Sequence, residues 1–141
     1  MEWWADEPRV PAWTATDDDR LRGLVETHLP PGRPALILVD GRSGSGKTTL
    51  ATRLARLLEA GVVHTDDIAW QHHPIDWTDL LVTGVLQPWR AGIGGSYRPP
   101  RWVTKGRPGA IDVPTSRVLV VEGVGAGRAT LAADADLVVW V

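Results

Sequence analysis

The sequence feature that most constrains the fold is a glycine-rich loop at residues 40–49, which reads Asp-Gly-Arg-Ser-Gly-Ser-Gly-Lys-Thr-Thr. The loop matches the phosphate-binding template G-x-x-x-x-G-K-[ST] at each fixed position. The apolar run 35–39 precedes it, and leucines at helical spacing across 50–60 follow it. A buried strand, a tight loop and a helix in this order predict a parallel α/β sheet with the loop at its carboxyl edge.

The residue types in this loop suit the phosphate chain of a nucleotide. Glycines let several backbone N–H groups converge on one anion, and the N-terminus of the following helix adds unpaired N–H groups and a favourable dipole. A flexible Gly/Ser loop would not explain a lysine and two threonines at the helix start. We therefore predict that phosphates bind to Gly41, Arg42, Ser43, Gly44, Ser45, Gly46, Lys47, Thr48 and Thr49, with Lys47 at the β- and γ-phosphates and the Thr48 hydroxyl on Mg²⁺.

The composition is that of one soluble domain. A chain of 141 residues can bury a proper core but is short for two domains. A net charge of −2 gives no electrostatic reason to expect nucleic acid or an anionic membrane as a partner. No secretory signal or membrane-length apolar run is visible, which favours the cytoplasm. We expect an extended lead-in over 1–15 and a single domain over 16–141.

Carboxylates follow the predicted strands. Residues 62–67 read as a second strand that ends in Asp66 and Asp67, and residues 118–122 as a third that ends in Glu122. A right-handed βαβ unit makes these strands parallel and brings their carboxyl ends to one edge of the sheet. Glu122 could therefore hold Mg²⁺ directly or through water, although an acid that ends a strand can also be a simple helix cap.

The remaining pattern predicts helices around this sheet. One helix should be capped by Thr16 or Asp17 and run to about residue 28, and another should run from an N-cap at Asp76 to residue 86, where Pro88 ends it. Gly61 is expected as the C′ residue of the helix over 50–60. A short helix near 128–133 and a last strand at 137–141 complete the fold.

The stretch 88–117 differs from the rest of the chain. Glycines and prolines interrupt it, and its arginines and lysine are opposed only by Asp112. Residues 97–104 and 110–113 could form a short hairpin. We interpret this insertion as a cover over the binding site of an anionic or phosphorylated acceptor, with an ordinary solvated loop as the alternative.

Four motifs in this order resemble the uridine kinase-like branch of the P-loop kinases. They are the loop at 40–49, His-Thr-Asp-Asp at 64–67, Tyr-Arg-Pro-Pro-Arg-Trp at 97–102, and Val-Glu-Gly-Val at 121–124. The resemblance implies a three-layer α/β fold, a nucleoside-kinase-like parallel sheet flanked by helices. It also implies that ATP and Mg²⁺ bind at the loop.

The same resemblance assigns further residues. Asp66 best matches the acid that accepts a proton from the acceptor hydroxyl, while Asp67 remains a candidate because Ile68-Ala69-Trp70 replaces the aromatic pair of the family. Lys47 and Thr48 match the family's lysine and Mg²⁺ ligand, and Glu122 its third-strand acid. Tyr97 and Arg98 fall where acceptor contacts are made.

Two functions are expected from these residues. The first is a kinase that transfers the γ-phosphate of ATP, with Mg²⁺, to a hydroxyl of a nucleoside-like or other small acceptor. The second is a nucleotide-binding module with weak or no catalysis, because the sequence stops at Val141, after the fourth strand of the family's domain and before its lid arginines and last strand. A partner-driving NTPase has little support, since no water-positioning glutamine stands out.

Overall fold

The structure, a computed structural model, describes residues 15–141. The expected lead-in at 1–15 lies outside the described residues, apart from Ala15. The helices and strands are α1 (Asp18–Glu26), β1 (Ala35–Asp40), α2 (Lys47–Leu58), β2 (Gly61–His64), α3 (Thr65–Ala69), α4 (Thr78–Leu81), a π-helical turn (Val82–Leu86), α5 (Gln87–Arg90), β3 (Gly95–Tyr97), α6 (Pro100–Thr104), β4 (Ile111–Val113), β5 (Val118–Glu122), α7 (Ala129–Ala132) and β6 (Leu137–Trp140).

The main sheet has four parallel strands in the order β2-β5-β1-β6. The two central strands, β1 and β5, are buried along their whole length, as their uninterrupted apolar runs predict. Their register pairs Ala35 with Val118 and Val39 with Glu122, so both strands end at the same level. The α/β fold with a parallel sheet is therefore confirmed.

Alternate residues of β1 enter two separate hydrophobic clusters. Leu36 and Leu38 pack with the helices and the insertion that follow β2 in the chain, whereas Ile37 and Val39 pack with α1 and α2. Because successive side chains of a strand point to opposite faces, these clusters lie on the two faces of the sheet. The expected three-layer arrangement is confirmed.

Ion pairs between charged residues connect α1 to α2 on one of these faces. Asp17 caps α1 by accepting the Arg20 N–H at 2.7 Å, as one of the two predicted caps. Asp18 accepts hydrogen bonds from Arg53 at 2.8 Å and from Arg56 at 2.9 Å. The hydrogen bonds from Arg56 and then Arg53 hold the pKa of Asp18 below its usual value.

The second strand is shorter than expected. It ends at His64, and Asp66 and Asp67 lie in the first turn of α3 instead of on the strand. Its only neighbour in the described sheet is β5, which ends at Glu122, the register partner of His64, so the two strands end together. The C′ prediction for Gly61 was also wrong, because Glu59 takes the left-handed conformation after α2 and Gly61 begins β2.

Pro88 does not end the helix that precedes it. The helix begins at Thr78, without the expected Asp76 cap, and continues through the π-helical turn to Arg90. In the π-helical turn Gln87 donates to Val82 O, five residues back, so the usual bonding pattern is already shifted where Pro88 lacks a donor.

The insertion at 88–117 is more ordered than its composition suggests. Strands β3 and β4 pair in antiparallel fashion, with Tyr97 opposite Ile111. The prediction that residues 97–104 form the first arm of the hairpin was largely wrong, because residues 100–104 form helix α6 between the two strands. Pro100 favours this helix because a proline suits the first helical position. No helix within the described residues is long and apolar enough to cross a membrane.

Candidate functional site

The glycine-rich loop connects β1 to the N-terminus of α2, as the sequence predicts. Gly46 directly precedes α2 with a φ of 100°, a conformation that suits glycine. A cleft of about 290 Å³ is lined by Gly44, Gly46, Lys47, Thr48 and Thr49. The loop therefore presents a concave surface, with a helix N-terminus behind it, of the kind that binds phosphate.

Two polar side chains, those of Lys47 and Ser45, pack within the loop. Lys47 is 8% exposed, and its ammonium group donates to the Arg42 carbonyl across the loop at 2.6 Å. The Ser45 hydroxyl is the only fully buried side-chain polar atom in residues 15–141 without a hydrogen-bond partner. This hydroxyl packs close to Gly41, since a Cβ on that glycine would lie 2.9 Å from it.

Side-chain oxygens from two elements lie close together beside the loop. Thr48, at the start of α2, donates to Oε1 of Glu122 at 3.2 Å. Glu122 ends β5 and is 5% exposed. A hydroxyl and a carboxylate next to this cleft fit Mg²⁺, which prefers oxygen ligands and usually takes only one or two from the protein. The described residues contain no cluster of three or more His, Cys, Asp or Glu side chains that could hold a metal.

His64, which was not predicted as a site residue, also contacts Glu122. Nδ1 of His64 lies 2.5 Å from Oε1 of Glu122. The two residues are partners in the parallel register of β2 and β5, so the strands themselves place them side by side. The strand-end position of both residues was the available sequence signal, but their register was not visible in the sequence.

Asp40 is a second residue that the sequence argument did not assign to the site. This carboxylate is 5% exposed and accepts three backbone N–H groups, from Gly41 at 2.7 Å, Gly127 at 2.8 Å and Gly125 at 3.0 Å. It therefore joins the start of the phosphate loop to the glycine-rich turn after β5. An acid at the end of a buried strand was the signal that could have identified it.

Asp66 and Asp67 are adjacent in sequence but have different surroundings. Asp66 is exposed and its carboxylate makes no hydrogen bond or ion pair within residues 15–141. Asp67 forms an ion pair with Arg107 at 2.9 Å, and its carbonyl accepts the Trp102 indole N–H at 2.9 Å. The Arg107 guanidinium also lies 3.6 Å from the centre of the Trp102 ring. Asp67 therefore holds the insertion, whereas the carboxylate of Asp66 is available.

The two residues expected to contact an acceptor are engaged within the insertion and its neighbouring helix. The ring of Tyr97 packs against Gly84 of the π-helical turn, and burial raises the pKa of its hydroxyl. Arg98 donates to the carbonyls of Arg107 at 2.9 Å, Gly109 at 3.1 Å and Trp102 at 3.4 Å.

The adjacent histidines at 72 and 73 also have local partners. Nε2 of His72 lies 2.8 Å from the Asp76 carbonyl, while Nδ1 of His73 accepts the N–H groups of Ile75 and Asp76. Both rings therefore stabilise the turn before α4.

Comparison with solved structures identifies the fold. A possible uridine kinase from Bacillus stearothermophilus superposes with a TM-score of 0.63 at 20% identity, over 87% of this chain and 78% of that one. A proposed fructose transport system kinase from Silicibacter sp. TM1040 superposes with a TM-score of 0.56 at 23% identity, over 89% of this chain and 74% of that one. No family model matches the sequence, and no curated protein matches it significantly. The chain therefore has the fold of P-loop kinases, which confirms the resemblance at the level of the fold.

Proposed function

We propose that this protein is a phosphotransferase that moves the γ-phosphate of ATP to a hydroxyl of a small acceptor. The observation that carries the proposal is the arrangement at one edge of the sheet. There the glycine-rich loop, the Thr48–Glu122 pair and the exposed carboxylate of Asp66 lie at the ends of three parallel strands whose ends are aligned.

The loop would bind the phosphates of ATP. Its backbone N–H groups and the ammonium group of Lys47 surround the cleft, and the contact between Lys47 and the Arg42 carbonyl would give way to contacts with phosphate oxygens. Thr48 and Glu122 would hold Mg²⁺, which neutralises charge on the phosphates when it is bound.

Asp66 is the better candidate for the base. The acceptor oxygen would attack the γ-phosphorus, the bond from that phosphorus to the bridging oxygen would break, and ADP would leave. The proton of the acceptor hydroxyl would pass to Asp66. Asp67 is less suited to this role because its carboxylate is already paired with Arg107.

The insertion would form one wall of the acceptor site. Its position beside Asp66 is fixed through the neighbouring Asp67, to which Arg107 and Trp102 both bind. Tyr97 and Arg98 belong to the same insertion and remain the proposed acceptor contacts, in addition to the contacts that they make within the chain. The two structural neighbours, a possible uridine kinase and a proposed fructose transport system kinase, support a screen of nucleosides and sugars.

A labelled-phosphate screen tests the proposal. Purified protein is incubated with Mg²⁺ and γ-labelled ATP against panels of nucleosides and sugars, and ATP affinity is measured separately by calorimetry. Asp66→Asn should lower transfer by about 10²–10⁴-fold while ATP affinity stays unchanged. Asp67→Asn is the comparison variant: it removes the carboxylate that pairs with Arg107, so it should weaken acceptor affinity through the insertion and lower the rate at saturating acceptor much less than Asp66→Asn does.

Lys47→Ala completes the test by removing nucleotide binding itself. Full transfer by the Asp66→Asn variant would exclude Asp66 as the base. ATP binding without transfer to any acceptor would instead favour a nucleotide-binding module.

A further inference from the structure

The geometry points to His64 as a positioning residue for the metal carboxylate, an inference that rests on the proposed binding of Mg²⁺ and nucleotide at this loop. His64 has no role in the mechanism above, yet it makes the shortest contact of any side chain with Glu122. Its Nδ1 atom lies 2.5 Å from Oε1, while the Thr48 hydroxyl lies 3.2 Å from the same oxygen.

The protonation of this contact follows from the chemistry of the partners. A carboxylate oxygen accepts hydrogen bonds, so we assign to His64 the tautomer with the proton on Nδ1, in which the Nδ1–H group donates a hydrogen bond to Oε1 of Glu122. Both acceptor directions of Oε1 are then used, one by His64 and the other by Thr48. The second oxygen, Oε2, makes no hydrogen bond in residues 15–141 and is not sealed from solvent.

The strand pairing makes this arrangement rigid. His64 and Glu122 are register partners at the last pair of β2 and β5, where both backbones are fixed by the sheet. The next residue, Gly123, packs so closely that a Cβ there would lie 1.9 Å from Oγ1 of Thr65. The ends of the two strands therefore have little freedom to separate.

A glutamate has three side-chain torsions, and Thr48 alone would fix only one contact of its carboxylate. With His64 in place, Oε1 is held by donors from both sides and Oε2 remains available for Mg²⁺ or its water. Hydrogen-bond donors that hold a metal-binding carboxylate typically contribute about 10–100-fold to metal affinity. His64 would therefore raise affinity for the Mg²⁺–nucleotide complex without contacting either component.

Two amide substitutions separate this role from a general structural one. Asn places its side-chain N–H₂ on Cγ, where His carries Nδ1, so His64→Asn keeps a donor for Oε1. Gln carries its N–H₂ one bond further out, at the level of Nε2, so His64→Gln loses the donor position while remaining a neutral amide. Binding of ADP, which cannot be turned over as a phosphate donor, is measured by calorimetry at stepped Mg²⁺ concentrations and in EDTA.

The expected result is a change in metal dependence alone. His64→Gln should need about 10–100-fold more Mg²⁺ for half of the metal-dependent gain in ADP affinity, and His64→Asn should resemble the wild type. All three proteins should bind ADP equally in EDTA and melt at similar temperatures.

Three outcomes would overturn the inference. Equal Mg²⁺ dependence of the wild type and His64→Gln would exclude the positioning role. Failure of His64→Asn to restore the wild-type value would indicate that packing of the ring, and not its donor, matters. If Mg²⁺ does not raise the ADP affinity of the wild type, there is no metal binding that His64 could strengthen. Absence of phosphate transfer together with the expected Mg²⁺ shift would refute the kinase proposal while supporting the role of His64.

Discussion

At the scale of single residues, Asp40 is the buried charge with the most demanding surroundings. Its carboxylate is 5% exposed and is stabilised by three backbone N–H groups from two loops rather than by a cation. Backbone donors that converge on an anion offset much of its desolvation cost, provided that all of them stay in place. The charge of Asp40 therefore fixes the distance between the phosphate loop and the turn after β5.

Asp40→Asn should destabilise the protein by about 1–3 kcal/mol, because the amide N–H₂ must face at least one of these N–H donors. Urea unfolding followed by tryptophan fluorescence measures the change. Asp112→Asn is the matched control, since Asp112 is exposed on β4 and its side chain makes no hydrogen bond or ion pair in the described residues. Its effect should stay within about 0.5 kcal/mol. Equal stability of the two variants would contradict the role of Asp40.

At the scale of elements, the helix from Thr78 to Arg90 is built around a close contact that propensity alone does not reveal. Gly84 lies in the π-helical turn, and a Cβ at that position would come within 2.5 Å of the Tyr97 ring. The missing side chain lets β3 pack directly on the helix. Glycine therefore lowers the helix propensity at position 84, but its lack of a side chain lets the insertion pack against the helix.

Gly84→Ala should lower stability by about 1–3 kcal/mol, because overpacking against Tyr97 outweighs the gain in helix propensity. Gly23→Ala on α1 provides the opposite case, as a Cβ there would meet no described atom within 4 Å. That change should stabilise the protein by about 0.5–1 kcal/mol. Thermal and urea unfolding of both variants give the comparison, and a stabilising Gly84→Ala would refute the packing argument.

The elements also show what the sequence could and could not predict. Continuous apolar runs identified β1 and β5, and the template residues identified the loop and α2, because these signals are local. The end of β2, by contrast, depends on where its partner strand β5 ends. The continuation of the helix past Pro88 depends on the shifted hydrogen bond from Gln87 to Val82 O. Such features are set by tertiary contacts that no local pattern contains.

The same distinction between local sequence signals and tertiary contacts applies to the residues of the candidate site. Lys47, Thr48 and Glu122 were predicted from a motif and a strand end, whereas the positions of His64 and Asp40 follow from register and loop packing. The distinction between Asp66 and Asp67 required Arg107, which lies 40 residues from Asp67 along the chain.

At the scale of the whole molecule, Arg107 links the insertion to the carboxyl edge of the sheet. Its guanidinium pairs with Asp67 at 2.9 Å and lies over Trp102 at 3.6 Å and near Trp70 at 5.1 Å. These contacts join α3, α6 and the loop that leads to β4. Arg107 is therefore one of the attachments of the insertion, alongside the buried Trp102 and the packing of Tyr97 on Gly84.

Arg107→Ala should loosen the insertion while the sheet stays intact. Loss of the ion pair and the stacking should lower the free energy of local opening by about 1 kcal/mol, which raises amide exchange about fivefold. Hydrogen exchange at residues 100–107, compared with β1 and β5, measures the effect. Arg101→Ala is the control, because the side chain of this exposed arginine of α6 makes no hydrogen bond, ion pair or cation–π contact in the described residues. Equal exchange in both variants would rule out Arg107 as the link.

The far edge of the sheet offers a practical use for the contact between β6 and the phosphate loop. The N–H of Val141 donates to Asp40 O at 2.8 Å, and its carbonyl oxygen occupies the space that a Cβ on Gly41 would need. The sequence contains no cysteine, so Val141→Cys would create a unique thiol for labelling. A fluorophore there would stand next to the first glycine of the loop and could report nucleotide arrival as a change in emission, without a coupled assay or a known acceptor.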